Sequence, residues 1–420
     1  MLQFNGLLFA FLALIVLQAA VKWLLNRLNV DHLKRWGHKV PEALAKEIDA
    51  ATLDRMTDYT VESSRLSSLE NIADELLTLI ILLAGFLPWL QVSVMRLQLP
   101  FVFSGLVFFG LLALLTAALA LPFGYYRTFV LEKKYGFSTI TLPLWLIDLL
   151  KGLVIAAILM GILLAALLAL IHWAAATWWL WVWALFAAFQ LLILWLYPVV
   201  IAPLFNKYEP LADQNLKEAI ADLLGKSGLQ AGEIYQMDAG KRSRHTNAYF
   251  TGWGKTKRIV LFDTLLASHT PEEILAVLAH EAGHWKGRHL AKQLLFRTVG
   301  SLFTLYLVYR LLSWPLLYRT FGFAEDVPWA GLGLLSLLGG PVFYFLSPCG
   351  AALSRRFEKE ADDFTCRLTG GRPMRNALIR LAKDNLANLF PHPLYAWFYY
   401  SHPPLLERIA RLAKNCRTPT

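Results

Sequence analysis

His280, Glu281 and His284 form an H-E-x-x-H motif, the stretch of this 420-residue chain whose residue types and spacing most directly suggest chemistry. Four residues along an α-helix turn about 400°, so the two histidines stand one turn apart and about 40° apart around the axis. Both imidazoles can then reach one zinc ion, and Glu281 projects beside them, placed to take a proton from a water. The motif is short, so its surroundings decide its weight. Thr270-Pro271-Glu272-Glu273 reads as a helix start, with Thr as the cap, Pro at the first helical position and Glu273 completing a capping box. The expected helix runs from Ile274 to about Leu290, and Ile274, Leu275, Val277 and Leu278 give it a buried face. Gly283 inside it costs roughly 1 kcal/mol relative to Ala and makes best sense where something approaches closely.

A catalytic zinc needs a third protein ligand and an open position. One known pattern places a histidine six residues after the second His, but that position is Leu290. His289 lies about 140° around the helix from His284 and reads as a solvated or interfacial histidine. The other source is a carboxylate on a separate helix. Glu358 and Asp362 are four residues apart and share a helical face, as would a ligand and a carboxylate that orients a ligand histidine. Glu360 lies about 200° from Glu358 and faces away. A charged helix end just outside a membrane accounts for the same residues.

The elements that must position this chemistry are apolar. Hydrophobic residues make up 57% of the chain and charged residues 17%, which excludes intrinsic disorder. Three cysteines, Cys349, Cys366 and Cys416, are too few for a disulfide scaffold. A membrane-crossing helix needs about 20 mostly apolar residues. Leu76 to Met95, Leu97 to Tyr126, Gly152 to Asn206 and Val327 to Ser354 carry no charge, and the third run is long enough for two helices turning near His172. Leu7 to Val21 reads as an uncleaved first span, because Met1 to Gly6 lacks the positive charge of a signal peptide. Thr298 to Tyr318 is the weakest candidate, with Arg310 in its middle. Seven spans are expected.

Lys and Arg number 40 against 30 Asp and Glu, a net charge of +10. They crowd the first, third and fifth inter-span loops and the tail (eight, four, twelve and twelve) and nearly vanish from the second, fourth and sixth (one, none and one). The excess is therefore a topology signal and gives little support for nucleic-acid binding. It puts the N-terminus outside, and the 207–293 segment and the C-terminus in the cytoplasm. Four regions follow: five spans in 1–206, a protease segment in 207–293, two spans in 294–354, and a C-terminal segment in 355–420 that completes the site. A transporter would suit the long uncharged helices and Arg310 but leaves the His–Glu constellation unexplained.

Further motifs join these. They are Tyr126-Arg127-Thr128-Phe129-Val130-Leu131-Glu132 with Lys134-Tyr135-Gly136-Phe137; Thr246-Asn247-Ala248-Tyr249-Phe250-Thr251-Gly252; Lys257 to Leu266, after a turn at Gly254; Ser354-Arg355-Arg356-Phe357-Glu358 with Ala361-Asp362; and Ser401-His402-Pro403-Pro404-Leu405-Leu406-Glu407-Arg408. With His280 to His284 they resemble, over nearly the whole chain, the type I CAAX prenyl protease family of integral-membrane zinc metallopeptidases. The resemblance implies an α-helical membrane protein, its seven helices forming a barrel around a water-filled chamber, with a small α/β metallopeptidase portion. It implies one Zn2+ held by His280, His284 and Glu358, with Glu281 as general base and Asp362 behind a ligand histidine. Asn247, Ala248 and Tyr249 would lie on an edge strand that binds substrate by strand addition, and His402 and Arg408 would hold substrate and transition state. The partners implied are membrane lipid and a peptide or lipidated peptide, cut at its prenylated C-terminal CAAX sequence. The alternative substrates are non-prenylated or misfolded membrane peptides.

Overall fold

A computed structural model describes residues 2–229, 232–252 and 258–416. The turn containing Gly254, and Lys257 beside it, lie outside the described residues. Among the described residues, six helices are long and apolar enough to cross a membrane: Gly6–Trp36, Phe101–Lys134, Leu142–Trp173, Trp178–Leu204, His289–Leu312 and Pro328–Thr369. The pair Ala50–Leu83 and Phe86–Met95, bent by 61°, counts as a seventh if taken as one span, and its break falls inside the expected Leu76–Met95 run. Each span packs against its neighbours in sequence, and Pro328–Thr369, the last, packs back against Gly6–Trp36, the first. The seven therefore close into a ring. At most 28% of any unbent span's apolar window is buried, far less than a solid bundle of seven would bury. The ring is hollow.

One end of the ring is packed shut. Leu8, Phe11, Ile81, Leu87, Phe108, Leu168, Tyr318, Phe321 and Trp329, drawn from span ends and from the short helix Pro315–Thr320, form one apolar cluster. The opposite end carries the peptidase portion. Its sheet has four strands in the order β1-β2-β4-β3: β1 Tyr208–Pro210, β2 Glu233–Met237, β3 Ala248–Thr251 and β4 Arg258–Phe262. β2 and β4 run parallel, and β3 pairs antiparallel with β4 and ends the sheet as an edge. Leu216, Ile220 and Leu224 of helix Gln214–Lys226 pack with Ile234, Ile259 and Leu261 of the sheet and with Ile274 and Leu278.

The helix bearing the H-E-x-x-H motif spans Pro271–Lys286, and Thr270 and Glu273 form the expected capping box. It ends four residues before Leu290. Arg288 is left-handed, with φ 53°, and a new helix starts at His289. The sixth span is thus His289–Leu312, not Thr298–Tyr318, and Arg310 falls in its last turn rather than mid-span. Lys292 and Arg297 hide its first half from an uncharged-run count.

The histidine helix crosses the long helix Pro328–Thr369 at backbone contact. A Cβ at Gly283 would stand 2.9 Å from Ala361 Cα and 3.2 Å from its carbonyl oxygen. Neither atom can yield without moving the long helix. Gly283→Val should therefore push the helices apart, at a typical overpacking cost of about 1–3 kcal/mol. The expected outcome is a lower melting temperature and lower metal content in the purified protein. Wild-type values for both would show that the crossing tolerates separation.

Candidate active site

The crossing brings His280 and His284 against Glu358. His280 Nε2 and His284 Nε2 are 3.2 Å apart, and each lies 3.2 Å from a Glu358 carboxylate oxygen. One ligand atom from each of the three residues falls within 4.8 Å of the others, so a single ion could be held between them. Glu358 Oε2 is buried and lacks a hydrogen-bond partner, although His402 Nδ1 lies 2.7 Å away. Proximity without alignment explains both observations: no ring N–H points along the line. An orphaned carboxylate oxygen facing two imidazole nitrogens fits a cation.

His280 is oriented from behind. Its Nδ1 lies 3.0 Å from Asp362 Oδ1, a position that keeps the proton on Nδ1 and leaves the Nε2 lone pair free for a cation. Arg408 grips Asp362 with two bonds, Nε to Oδ2 at 3.0 Å and Nη2 to Oδ1 at 2.6 Å. Burial opposes charge on His280, but Asp362 and Glu358 outweigh it and push its pKa up to about 9. The pocket stabilises positive charge at this point.

Glu281 is not among the clustered ligand atoms. It lines an adjoining cavity of about 510 Å3 with His284, Phe250 and Thr251. Burial pushes its carboxyl above the usual carboxylate range. Leu194, Leu290 and Leu294, from two spans, form the cavity's apolar side. His402 has a 60% exposed side chain and stands over Glu358. Arg408, which the sequence reading assigns to substrate, is buried, grips Asp362 and lies 3.8 Å from Glu358 Oε2, so it borders the ligand cluster directly.

β3 is an edge, as anticipated, but its register redistributes the expected roles. Ala248 stands opposite Leu261, and Phe262 N–H donates to the Asn247 carbonyl at 3.2 Å. By antiparallel alternation, Asn247 and Tyr249 then turn their backbone groups toward β4, while Ala248 and Phe250 turn theirs to the open edge. The Tyr249 ring packs with Val260 and Tyr208 on the sheet face opposite the histidine helix. Tyr249 therefore presents neither backbone nor ring to the cavity, and Phe250 takes its place. The period-2 alternation within Asn247 to Thr251 was the signal for this. Asn247 acts through its side chain, whose Oδ1 accepts the open-edge Ala248 N–H at 2.8 Å.

Two readings based on helical angles also change. His289 is buried, at 2% exposure, and bonds to His284 and Glu360, because the break at Arg288 swings it off the histidine helix's track. Glu360 faces away from Glu358 and is engaged there by His289. Cys366 and Cys416 are joined as a disulfide linking the ends of the long helix and of helix Leu405–Asn415, which carries Arg408.

Comparison with known proteins agrees with this arrangement. Residues 29–207 match the family described as CAAX prenyl protease N-terminal, five membrane helices, and residues 210–415 match Peptidase family M48. CAAX prenyl protease 1 of Saccharomyces cerevisiae is 34% identical over 405 residues, covering 89% of this chain and 88% of the relative. The human CAAX prenyl protease 1 homolog is 32% identical over 424 residues, covering 89% and 88%. The crystal structure of S. mikatae Ste24p superposes with a TM-score of 0.90 at 31% identity, covering 96% of this chain and 98% of that one. A hollow ring of membrane spans, capped by a His–His–Glu cluster and matched along nearly its full length by these relatives, makes the chain a member of peptidase family M48, an integral-membrane metalloprotease.

Proposed function

We propose that this protein is a zinc endopeptidase that removes the C-terminal residues of prenylated CAAX proteins, with its site open to the cytoplasm. The observation that carries the reading is the convergence of His280, His284 and Glu358 beside a cavity that Glu281 shares with an open strand edge. The donor set, two imidazoles and one carboxylate, is a common catalytic zinc set. Two nitrogens about 2.0–2.1 Å from a tetrahedral zinc would stand about 3.3 Å apart, close to the 3.2 Å between His280 Nε2 and His284 Nε2. When bound, zinc supplies Lewis acidity that polarises the scissile carbonyl and makes a water more acidic.

The remaining steps belong to the chain. Ala248 and Phe250 pair the substrate backbone along β3, which sets its register against the cluster. Asn247 Oδ1 gives up the Ala248 N–H as the substrate strand arrives. Glu281 takes the proton of the attacking water and returns it to the leaving nitrogen, and its raised pKa suits both steps. His402, exposed above Glu358, donates to the oxygen that gains charge, while Arg408 and Asp362 hold His280 still. The apolar side formed by Leu194, Leu290 and Leu294 suits a lipidated substrate arriving from the bilayer.

Glu281→Gln should keep its zinc and lose about 10²–10⁴-fold in kcat; normal turnover by this variant would remove Glu281 as the base. A chelator should abolish wild-type activity, and zinc should restore it.

Substrate class is read by comparing a farnesylated CAAX peptide with its unprenylated twin, using purified protein. The farnesylated peptide should be cut with the higher kcat/KM, and Ala248→Pro, which removes an open-edge N–H, should raise KM for it. Equal cleavage of the twins would make the enzyme a general membrane-peptide protease.

The charge asymmetry of the loops supports the cytoplasmic orientation. A cysteine placed at exposed Glu218, the one free thiol in a Cys349→Ser background that keeps the Cys366–Cys416 disulfide, should react in intact cells only with reagents that cross the membrane. Labelling by an impermeant reagent would invert the topology.

A further inference from the structure

Metal-binding imidazoles are held from behind, through the ring nitrogen that does not touch the ion. Asp362 does this for His280. Nothing in the reading above does it for His284. Its Nδ1 lies 3.0 Å from Nδ1 of His289, and His289 Nε2 lies 3.1 Å from Glu360 Oε2.

We propose that His289, backed by Glu360, is the positioning residue that fixes the tautomer and orientation of His284. The inference rests on His284 being a metal ligand. Coordination through Nε2 leaves the His284 proton on Nδ1, from which it can only donate. His289 Nδ1 must then accept, so the His289 proton sits on Nε2 and points at the Glu360 carboxylate. The chain of bonds runs one way, with each ring nitrogen given one role and none left over.

The backbone is built around this residue. Arg288 holds a left-handed conformation, unfavourable for a residue with a side chain, one step before His289. Gly287 leaves room for the ring, since a Cβ there would stand 2.3 Å from His289 Nε2. The ring stacks on Phe357 at 4.3 Å and 9°, next to ligand candidate Glu358. Glu360 is braced by Arg356 at 3.2 Å. One left-handed backbone position and one residue without a side chain thus serve a ring that touches the cluster only through His284.

The test is zinc affinity of the full-length purified protein, read by chelator competition, with His284→Ala as the reference. His289→Phe keeps the stack on Phe357 and loses the acceptor; it should bind zinc about 10–100-fold more weakly. His289→Asn puts an acceptor oxygen where Nδ1 was and should recover most of that loss, which a packing role alone would not allow. Wild-type affinity in His289→Phe, or no recovery in His289→Asn, overturns the proposal. Glu360→Ala, with a side chain 42% exposed, keeps the test open if His289→Phe does not fold. A several-fold weakening there supports the chain of bonds, and unchanged affinity overturns it. If His284→Ala itself binds zinc normally, the metal-site reading has failed, a result separate from failure of the His289 proposal alone.

Discussion

Two carboxylates, Glu358 and Asp362, are buried at 3% and 1% exposure on one turn of a helix. Burying like charges this close together is strongly unfavourable unless positive charge and hydrogen bonds meet them. The surrounding structure supplies both. Arg408 reaches Asp362 from the last helix, His280 and His284 come from the helix crossing below, and His402 comes from the loop before Arg408. Three stretches of the chain, around His280, Glu358 and Arg408, are drawn to one point by this requirement. Glu358 Oε2 still lacks an aligned donor, and a metal cation completes the compensation.

The long helix explains why the site sits where it does. Its 42 residues extend about 63 Å, roughly twice the 30 Å hydrocarbon core. It crosses the membrane as the last member of the ring and then continues into the peptidase portion, where Glu358, Asp362 and Ala361 meet the histidine helix. Span and ligand carrier are one rigid element, so the cluster is tied to the rim of the ring. The cavity beside Glu281 accordingly takes one wall from the sheet edge and histidine helix, and the other from two spans.

Much of this was legible in the sequence. The capping box, the H-E-x-x-H spacing, the four-residue step from Glu358 to Asp362 and the uncharged runs each follow from local periodicity, and the structure carries all of them. What escaped depends on where a period stops or on contacts distant in sequence. A helical wheel assumes an unbroken helix, and the left-handed Arg288 breaks it, so His289 reads as solvated when it is buried. The same break moves the sixth span toward the N-terminus and Arg310 toward its end. Alternation within Asn247 to Thr251 separates Tyr249 from Ala248 and Phe250, but which set faces the open edge needs a register, and only the pairing with β4 supplies one. Pairing of Cys366 with Cys416 depends on the docking of the last helix, which no local pattern encodes.

The hollow of the ring follows from its second span. Helix Ala50–Leu83 carries Ser63, Ser64, Ser67, Ser68 and Asn71, and these residues line a cavity of about 550 Å3 shared with the first and last spans. Lys22 of the first span pairs with Glu75 across it at 2.9 Å. Facing lipid, such a stripe would be costly; here Asn26 donates to Ser68 Oγ at 2.8 Å, Arg127 donates to Ser67 Oγ at 3.3 Å, and the stripe otherwise faces the cavity. Water is the remaining solvent, and a water-lined interior requires the spans to stand apart. Hydrolysis makes the same demand, since a protease at a membrane must bring water to a bond whose substrate is drawn from an apolar phase. The polar stripe that lines the ring's cavity thus provides a surface that water can wet, and a hydrated interior and a hydrolytic site make the same demand on the architecture.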